Sequence, residues 1–239
     1  MTLSRISVVI PCLDEQELLP AALASAREGA DELVVVDGGS RDGSCQLARQ
    51  AGALVLQAPA SRGGQLRAGA EAARGDWLLF LHADTRLEAG WAGDLRALPP
   101  PVVGGAFSLA IDAPGWGPRL LERAVDLRTR LLGLPYGDQA LFARRSAYDA
   151  AGGFRPLPLM EDVDFVGRLR RQGPLAWLRR RALTSARRLR RHGLAGATLR
   201  NWRVLGCYLL GVSPERLVRL YDAPSPEGRG PRGNQRRAA

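Results

Sequence analysis

Lysine is missing from this chain: all 34 basic residues are arginine. The formal charge is nevertheless +10. Such one-sided usage reads as genome composition rather than as a binding surface. Aromatic residues make up only 6% of the chain. They are not interleaved with the arginines as the stacking platforms of single-strand binders require. Nucleic acid is therefore set aside as a partner, while an acidic lipid surface stays open. Cysteine is sparse and odd in number: Cys12, Cys45 and Cys207 lie far apart. That spacing offers neither a disulfide framework nor a metal-ligand pair, and it suits a reducing cytoplasm. Two histidines are too few to assemble a Ser-His-Asp set with any assurance. Long apolar runs are absent as well. The stretch 204–212 is broken by Gly206 and falls far short of the ~20 residues of a membrane span. The opening MTLSRISVVIP is too short an apolar stretch for a signal peptide. No Gly-Lys-Ser/Thr follows Gly63-Gly64, which excludes a Walker loop. No G-x-G-x-x-G follows the first apolar run, which argues against a dinucleotide site.

What is present is a regular α/β rhythm. The chain has 239 residues and 46% hydrophobic content, enough to bury one substantial core. The β-branched run 6–10 stops at Pro11 and a helical segment follows over 18–26, with Pro20 tolerable in its first turn. Further strands are expected at 32–36, 53–57 and 77–81, separated by helices at 44–51 and 65–73. This alternation predicts a mostly parallel central sheet with helices on both faces. Beyond it the pattern loosens. A strand over 104–111, a helix over 120–132, a short strand over 140–143, a helix over 162–171 and a last amphipathic helix over 197–210 are expected. The division is one domain over 1–222, falling into 1–110, 111–196 and a C-terminal helix (197–222). The Pro/Gly/Arg/Ser-rich stretch 223–239 reads as a disordered tail.

The chemistry gathers just past the strand ends, the edge where open α/β sheets bind ligands. The first strand runs into Pro11-Cys12-Leu13-Asp14-Glu15. The second ends in Asp37-Gly38-Gly39-Ser40. A carboxylate there can accept a hydrogen bond from a nucleobase N–H such as that of uracil, and the glycines let the backbone approach a ligand. An ordinary Asp-Gly turn is the plainer alternative. The fourth strand ends in His82-Ala83-Asp84, and Glu161-Asp162 opens a later helix. Acids at a helix N-terminus are favourable with no catalysis at all.

Taken in order, these segments resemble family 2 of the glycosyltransferases over residues 4–190, and so imply the GT-A (nucleotide-diphospho-sugar transferase) fold. Within that family the chain is most similar to a compact bacterial subgroup often named for arsenosugar biosynthesis, although no residue reads as an arsenosugar determinant. The resemblance implies transfer of a sugar from a nucleoside-diphosphate donor, UDP-sugar favoured, to a hydroxyl acceptor, either a small molecule or lipid-linked. It places Pro11, Glu15 and Asp37 around the nucleoside. His82-Ala83-Asp84 stands where the family carries a D-x-D motif, whose bound Mg2+ or Mn2+ neutralises the diphosphate. Asp84 matches the second Asp and is the expected metal ligand. His82 replaces the first; contacting the donor, ligating Mn2+ and capping the strand are all open to it. Asp162 matches the base of inverting relatives, with Glu161 orienting it or binding acceptor. Repulsion between adjacent carboxylates raises the pKa of one of them. Arg62 and Arg67 lie in a segment that the resemblance sets beside the donor phosphates. Asp138 and Gln139 fall on the acceptor side. Thr184-Ser185-Ala186-Arg187-Arg188 lacks the Gln and Trp of the Q-x-x-R-W motif of processive relatives, so a single transfer is expected, with Arg187 or Arg188 able to reach the diphosphate. His192 is a further metal candidate, or simply structural. The rival readings are a sugar-phosphate nucleotidyltransferase, for which Cys12-Leu13-Asp14-Glu15 supplies no Gly-rich triphosphate signature, and a degenerate sugar-nucleotide binder. A peripheral membrane protein using the C-terminal helix is compatible with transfer to a lipid-linked acceptor. The expected location is the cytoplasm, with peripheral contact at the inner face of the membrane left open.

Overall fold

A computed structural model of the chain describes residues 4–192, 202–208, 210–214 and 216–218. The strands are β1 (Ile6–Cys12), β2 (Glu32–Asp37), β3 (Leu54–Gln57), β4 (Trp77–Phe80), β5 (Thr85–Leu87), β6 (Gly104–Asp112), β7 (Leu141–Arg144) and β8 (Leu175–Ser185). The helices are α1 (Leu19–Arg27), α2 (Ser44–Gln50), α3 (Arg62–Ala72), α4 (Trp91–Arg96), α5 (Trp116–Leu132), α6 (Arg145–Ala150), α7 (Glu161–Leu169) and α8 (Arg187–His192).

The described strands form one sheet in the order β3-β2-β1-β4-β7-β6-β8-β5. From β3 to β4 every pairing is parallel. Beyond β4 the sheet is mixed: β7 is antiparallel to both β4 and β6, β8 is parallel to β6, and β5 is antiparallel to β8. The expected mostly parallel sheet is thus borne out, with its antiparallel pairings confined to the second half. Alternation along the strands divides the core. Val8 and Ile10 pack with α1, Trp77 and Trp91 on one face. Val9, Val34 and Val36 pack with α3, α6 and α7 on the other.

Three local differences from the sequence reading have physical causes. Helix α3 begins at Arg62, ahead of the expected 65, because Ser61 caps it: its hydroxyl accepts from the Gly64 N–H at 3.5 Å. That start places Gly63 where an added Cβ would lie 2.2 Å from the Arg155 carbonyl oxygen, so α3 meets the segment before α7 backbone to backbone. Strand β8 escaped the pattern because Arg179, Arg180 and Arg181 interrupt its apolar alternation, although the strand spans 11 residues. Helix α5 starts at Trp116, with Gly117 and Pro118 in its first turn, where proline loses no helical hydrogen bond. Of the expected C-terminal helix, 202–208 is helical. Residues 197–201, 209, 215 and 219–239 of the expected C-terminal helix and tail lie outside the described residues. None of the described helices is long and apolar enough to cross a membrane.

Candidate active site

The ends of β1 and β2 are tied together before any ligand is considered. Gln65 on α3 is buried, and its Nε2 donates to the carbonyls of Cys12 (3.0 Å) and Val36 (2.8 Å). The loops that follow are zipped to each other. Glu15 N–H donates to Ser44 Oγ (2.9 Å), Asp14 N–H to Ser40 Oγ (2.9 Å), and Arg41 N–H to Asp14 Oδ1 (2.7 Å). Asp14 sits at φ +52° in this turn, a region that Asp tolerates better than most residues. Asp37 organises the same loop: its carboxylate accepts from the N–H groups of Gly39 and Ser40 and from the Ser40 hydroxyl. Burial works against its charge, but these donors outweigh burial and hold its pKa below the usual 3.8.

A cavity of about 230 Å³ opens beside these loops, lined in part by Pro11, Glu15, Arg62, His82, Ala83 and Asp84. Cys12 also lines it, and burial, first among several causes, pushes its thiol up to about 11, so it is a neutral wall near pH 7. Across the opening, Arg187 at the start of α8 pairs with Glu15 and lies 3.9 Å from Asp84 Oδ2. Strand β8 delivers this residue by pairing Thr184 against Thr85, next to Asp84.

A second, smaller cavity of about 80 Å³ adjoins it, with Arg62 and His82 on both walls. Its floor includes Glu161 and Asp162 at the start of α7, with Tyr136, Gly137 and Asp138 opposite. Asp162 Oδ2 accepts from Gly137 N–H (2.8 Å) and Oδ1 from Val163 N–H (2.7 Å). An added Cβ at Gly137 would lie 2.7 Å from His82 Nε2 and 3.6 Å from Asp162 Oδ2. Glycine thus lets the imidazole and the carboxylate flank one stretch of backbone. Glu161 is buried and pairs with Arg62 at 3.2 Å. Burial and then the Asp162 charge raise its pKa, and Arg62 offsets only part of this. Met160, just ahead, adopts φ +64°, an uncommon conformation for a large side chain and one found where neighbouring structure over-determines the backbone.

The residues singled out by sequence divide accordingly. Pro11, Glu15, Arg62, His82, Ala83, Asp84, Asp138, Glu161 and Asp162 line one or both cavities. Three do not. Asp37 is buried in its own loop. Arg67 turns outward to Glu71 on the next turn of α3. Gln139 lies in the core: its Oε1 accepts from Arg128, Thr129 and the Tyr136 N–H, while its Nε2 donates to the Phe107 carbonyl. It therefore shapes the loop over 136–139 from behind. His192 ends α8, and no group of three or more His, Cys, Asp or Glu able to hold a metal occurs among the described residues. Gln65, Gly137 and Val204 were not singled out. A lone amide within the Ala/Gly-rich 62–73 was the available signal for Gln65; nothing local marks Val204, which reaches the second cavity from 202–208.

A divalent cation fits the first cavity as a shared ligand. Mg2+ and Mn2+ need few protein ligands when a diphosphate supplies the others. Asp84 offers one carboxylate on the wall, from which the Arg187 guanidinium, 3.9 Å away, would have to yield to a bound cation.

The family model for glycosyl transferase family 2 matches residues 7–98. A PGL/p-HBAD biosynthesis glycosyltransferase of Mycobacterium bovis is 32% identical over 182 residues, covering 69% of each chain. A TPR repeat-containing protein of Synechococcus elongatus is 42% identical over 91 residues, covering 36% of this chain and 22% of that protein. The chain thus spans about a fifth of one relative and about two thirds of the other. A mannosyltransferase from Pyrobaculum calidifontis, solved with GDP-Man and Mn2+, superposes with a TM-score of 0.61 at 17% identity, covering 95% of this chain and 67% of that one. The fold is that of the GT-A enzymes, and the chain belongs to glycosyl transferase family 2.

Proposed function

We propose that the protein transfers a single sugar from a nucleoside-diphosphate sugar to a hydroxyl acceptor, with inversion at the anomeric carbon and with Mg2+ or Mn2+ bound. The observation that carries this reading is the pair of adjoining cavities, one bearing Asp84 and the other Asp162, with Arg62 and His82 common to both. A donor whose diphosphate lay in the first cavity would have its sugar at the junction. The solved neighbour that holds GDP-Man and Mn2+ supports a donor of this class.

Pro11 and Glu15 border the nucleoside, and Asp37 acts on it only indirectly, by holding the loop that follows β2. Asp84, with His82 beside it, holds the cation. The bound cation supplies charge neutralisation of the diphosphate leaving group. Arg62 and Arg187 add positive charge from two sides; Arg67 is given no part. Asp162 takes the proton of the acceptor hydroxyl, which then attacks the anomeric carbon in line. The two backbone N–H donors on Asp162 fix its direction before the acceptor arrives. Glu161 holds Arg62 in place, and Asp138 meets the acceptor. The acceptor is a small molecule or is carried by a lipid, and the protein works at the cytoplasmic side.

The test is release of nucleoside diphosphate from a panel of UDP- and GDP-sugars offered with simple polyol acceptors and Mn2+. One donor is expected to be consumed by the wild type. Folded protein that consumes none of them, while also failing to bind any nucleotide, would contradict the reading.

A further inference from the structure

Helix α5 carries an apolar stripe that nothing in the described structure covers. Trp116, Leu120, Leu127 and Leu131 are 79%, 55%, 59% and 72% exposed. At 100° per residue these positions fall within an arc of about 60°. Their exposure is not a gap in packing, because the opposite face is satisfied: Leu121 and Val125 pack on Leu109, Ile111 and Leu189. Along one edge of the stripe, Arg119, Arg123 and Arg130 make a parallel row by the same geometry. Two of these pair with acids of their own helix, Arg119 with Glu122 and Arg130 with Asp126. The exposed Arg130–Asp126 pair is weak and readily exchanged for another anion, whereas Arg119 is held in addition by the Ile111 and Ala113 carbonyls.

We infer that α5 is a docking surface for an anionic lipid bilayer, with the Trp/Leu stripe entering the interface and the arginine row meeting lipid phosphates. Charge decides between the possible occupants. A second copy would set one arginine row against another, and the chain as a whole is at +10, so self-association is opposed while an acidic surface is attracted. The pattern of Trp and Leu on one side and Arg beside them is that of a helix lying in the membrane plane. The docking has a consequence at the site. Arg128 of α5 stacks 3.7 Å over the Tyr136 ring, and Arg128 and Thr129 hold Gln139. Helix α5 therefore braces the wall of the cavity assigned to the acceptor, and docking would present that wall toward a lipid-borne hydroxyl. This last step rests on the transferase reading; the docking does not.

The experiment is flotation of the full chain with phosphatidylcholine vesicles, with and without phosphatidylglycerol, next to a Trp116→Ser/Leu120→Ser/Leu127→Ser/Leu131→Ser variant. The wild type is expected to float with the anionic vesicles only. The variant, with an unchanged circular dichroism spectrum, should lose about tenfold in bound fraction. Because four substitutions could disturb folding, Trp116→Phe gives a second reading: brominated anionic lipid should quench wild-type fluorescence more than that of this variant. Flotation equal in wild type and folded variant, or equal quenching of wild type and Trp116→Phe, would overturn the inference. So would a wild type that ignores vesicles but sediments as a dimer that the substitutions dissociate. Failure of flotation leaves nucleotide binding untouched, so it is distinguishable from failure of the transferase reading.

Discussion

Glu161 and Asp162 are neighbours in sequence with different surroundings. Glu161 is buried against Asp162, and its pKa is raised above the usual 4.5. A carboxyl that binds its proton more tightly when folded stabilises the fold below its ordinary pKa, and this contribution is lost as pH rises through the folded value. Glu161→Gln should therefore flatten the decline in stability above pH ~4.5, seen by urea denaturation at a series of pH values. Parallel pH profiles for the two proteins would show that Glu161 is not the strained member. Asp162 is held by the amides of Gly137 and Val163. As the proposed base it predicts a fall in kcat of about 10²- to 10⁴-fold for Asp162→Asn, with donor affinity unchanged by calorimetry. Sequence could nominate both acids, because an acidic pair opening a helix is a local pattern to which the family resemblance assigns a role. It could not separate their environments, since the partner of Glu161 is Arg62, which lies 99 residues away.

Among the elements, α3 shows how tightly the two cavities are joined. Its start packs on the segment leading into α7, and the space at Gly63 admits no Cβ, with the Arg155 oxygen 2.2 Å away and Glu161 Cβ 3.2 Å away. Gly63→Ala should destabilise the protein by about 1–3 kcal/mol and lower transfer as well, because Arg62 and Glu161 move together. Thermal unfolding and a kinetic assay on one preparation check this; unchanged stability would mean that α3 and α7 are not in register as described. In sequence Gly63-Gly64 is a pair of helix-weakening residues, which is why the helix was expected to begin after them. The Ser61 cap and the close approach explain why it begins before. The same reasoning applies to Gln139. It was legible as a polar residue in the right loop, but its four hydrogen bonds go to α5, to Tyr136 and to β6, partners that no local pattern reveals.

Across the whole molecule, the parallel half of the sheet was readable because each strand–helix pair is local and regular. The mixed half was not, since β7 and β8 insert between strands distant in sequence and β8 is broken by arginine. Segments distant in sequence meet at the first cavity, where Arg187 bridges Glu15 and Asp84. The C-terminal segment also supports the second cavity, where Val204, Leu205 and Leu217 pack on Met160 and Val163. Truncation before Trp202 should leave nucleotide binding intact while transfer falls on the order of tenfold or more, because the acceptor wall loses its support. Calorimetry and turnover measured side by side check it. Loss of both would mean that this segment supports the fold as a whole.

The donor site is the centre of the account, and one titration tests it most directly. UDP and GDP are titrated calorimetrically into the wild type and Asp84→Ala, with Mn2+ and again with EDTA. The account predicts that one of the two binds the wild type when Mn2+ is present, and that EDTA and Asp84→Ala each abolish the heat while circular dichroism stays unchanged. Folded wild type that binds neither nucleotide, or that binds one equally well in EDTA, would contradict it.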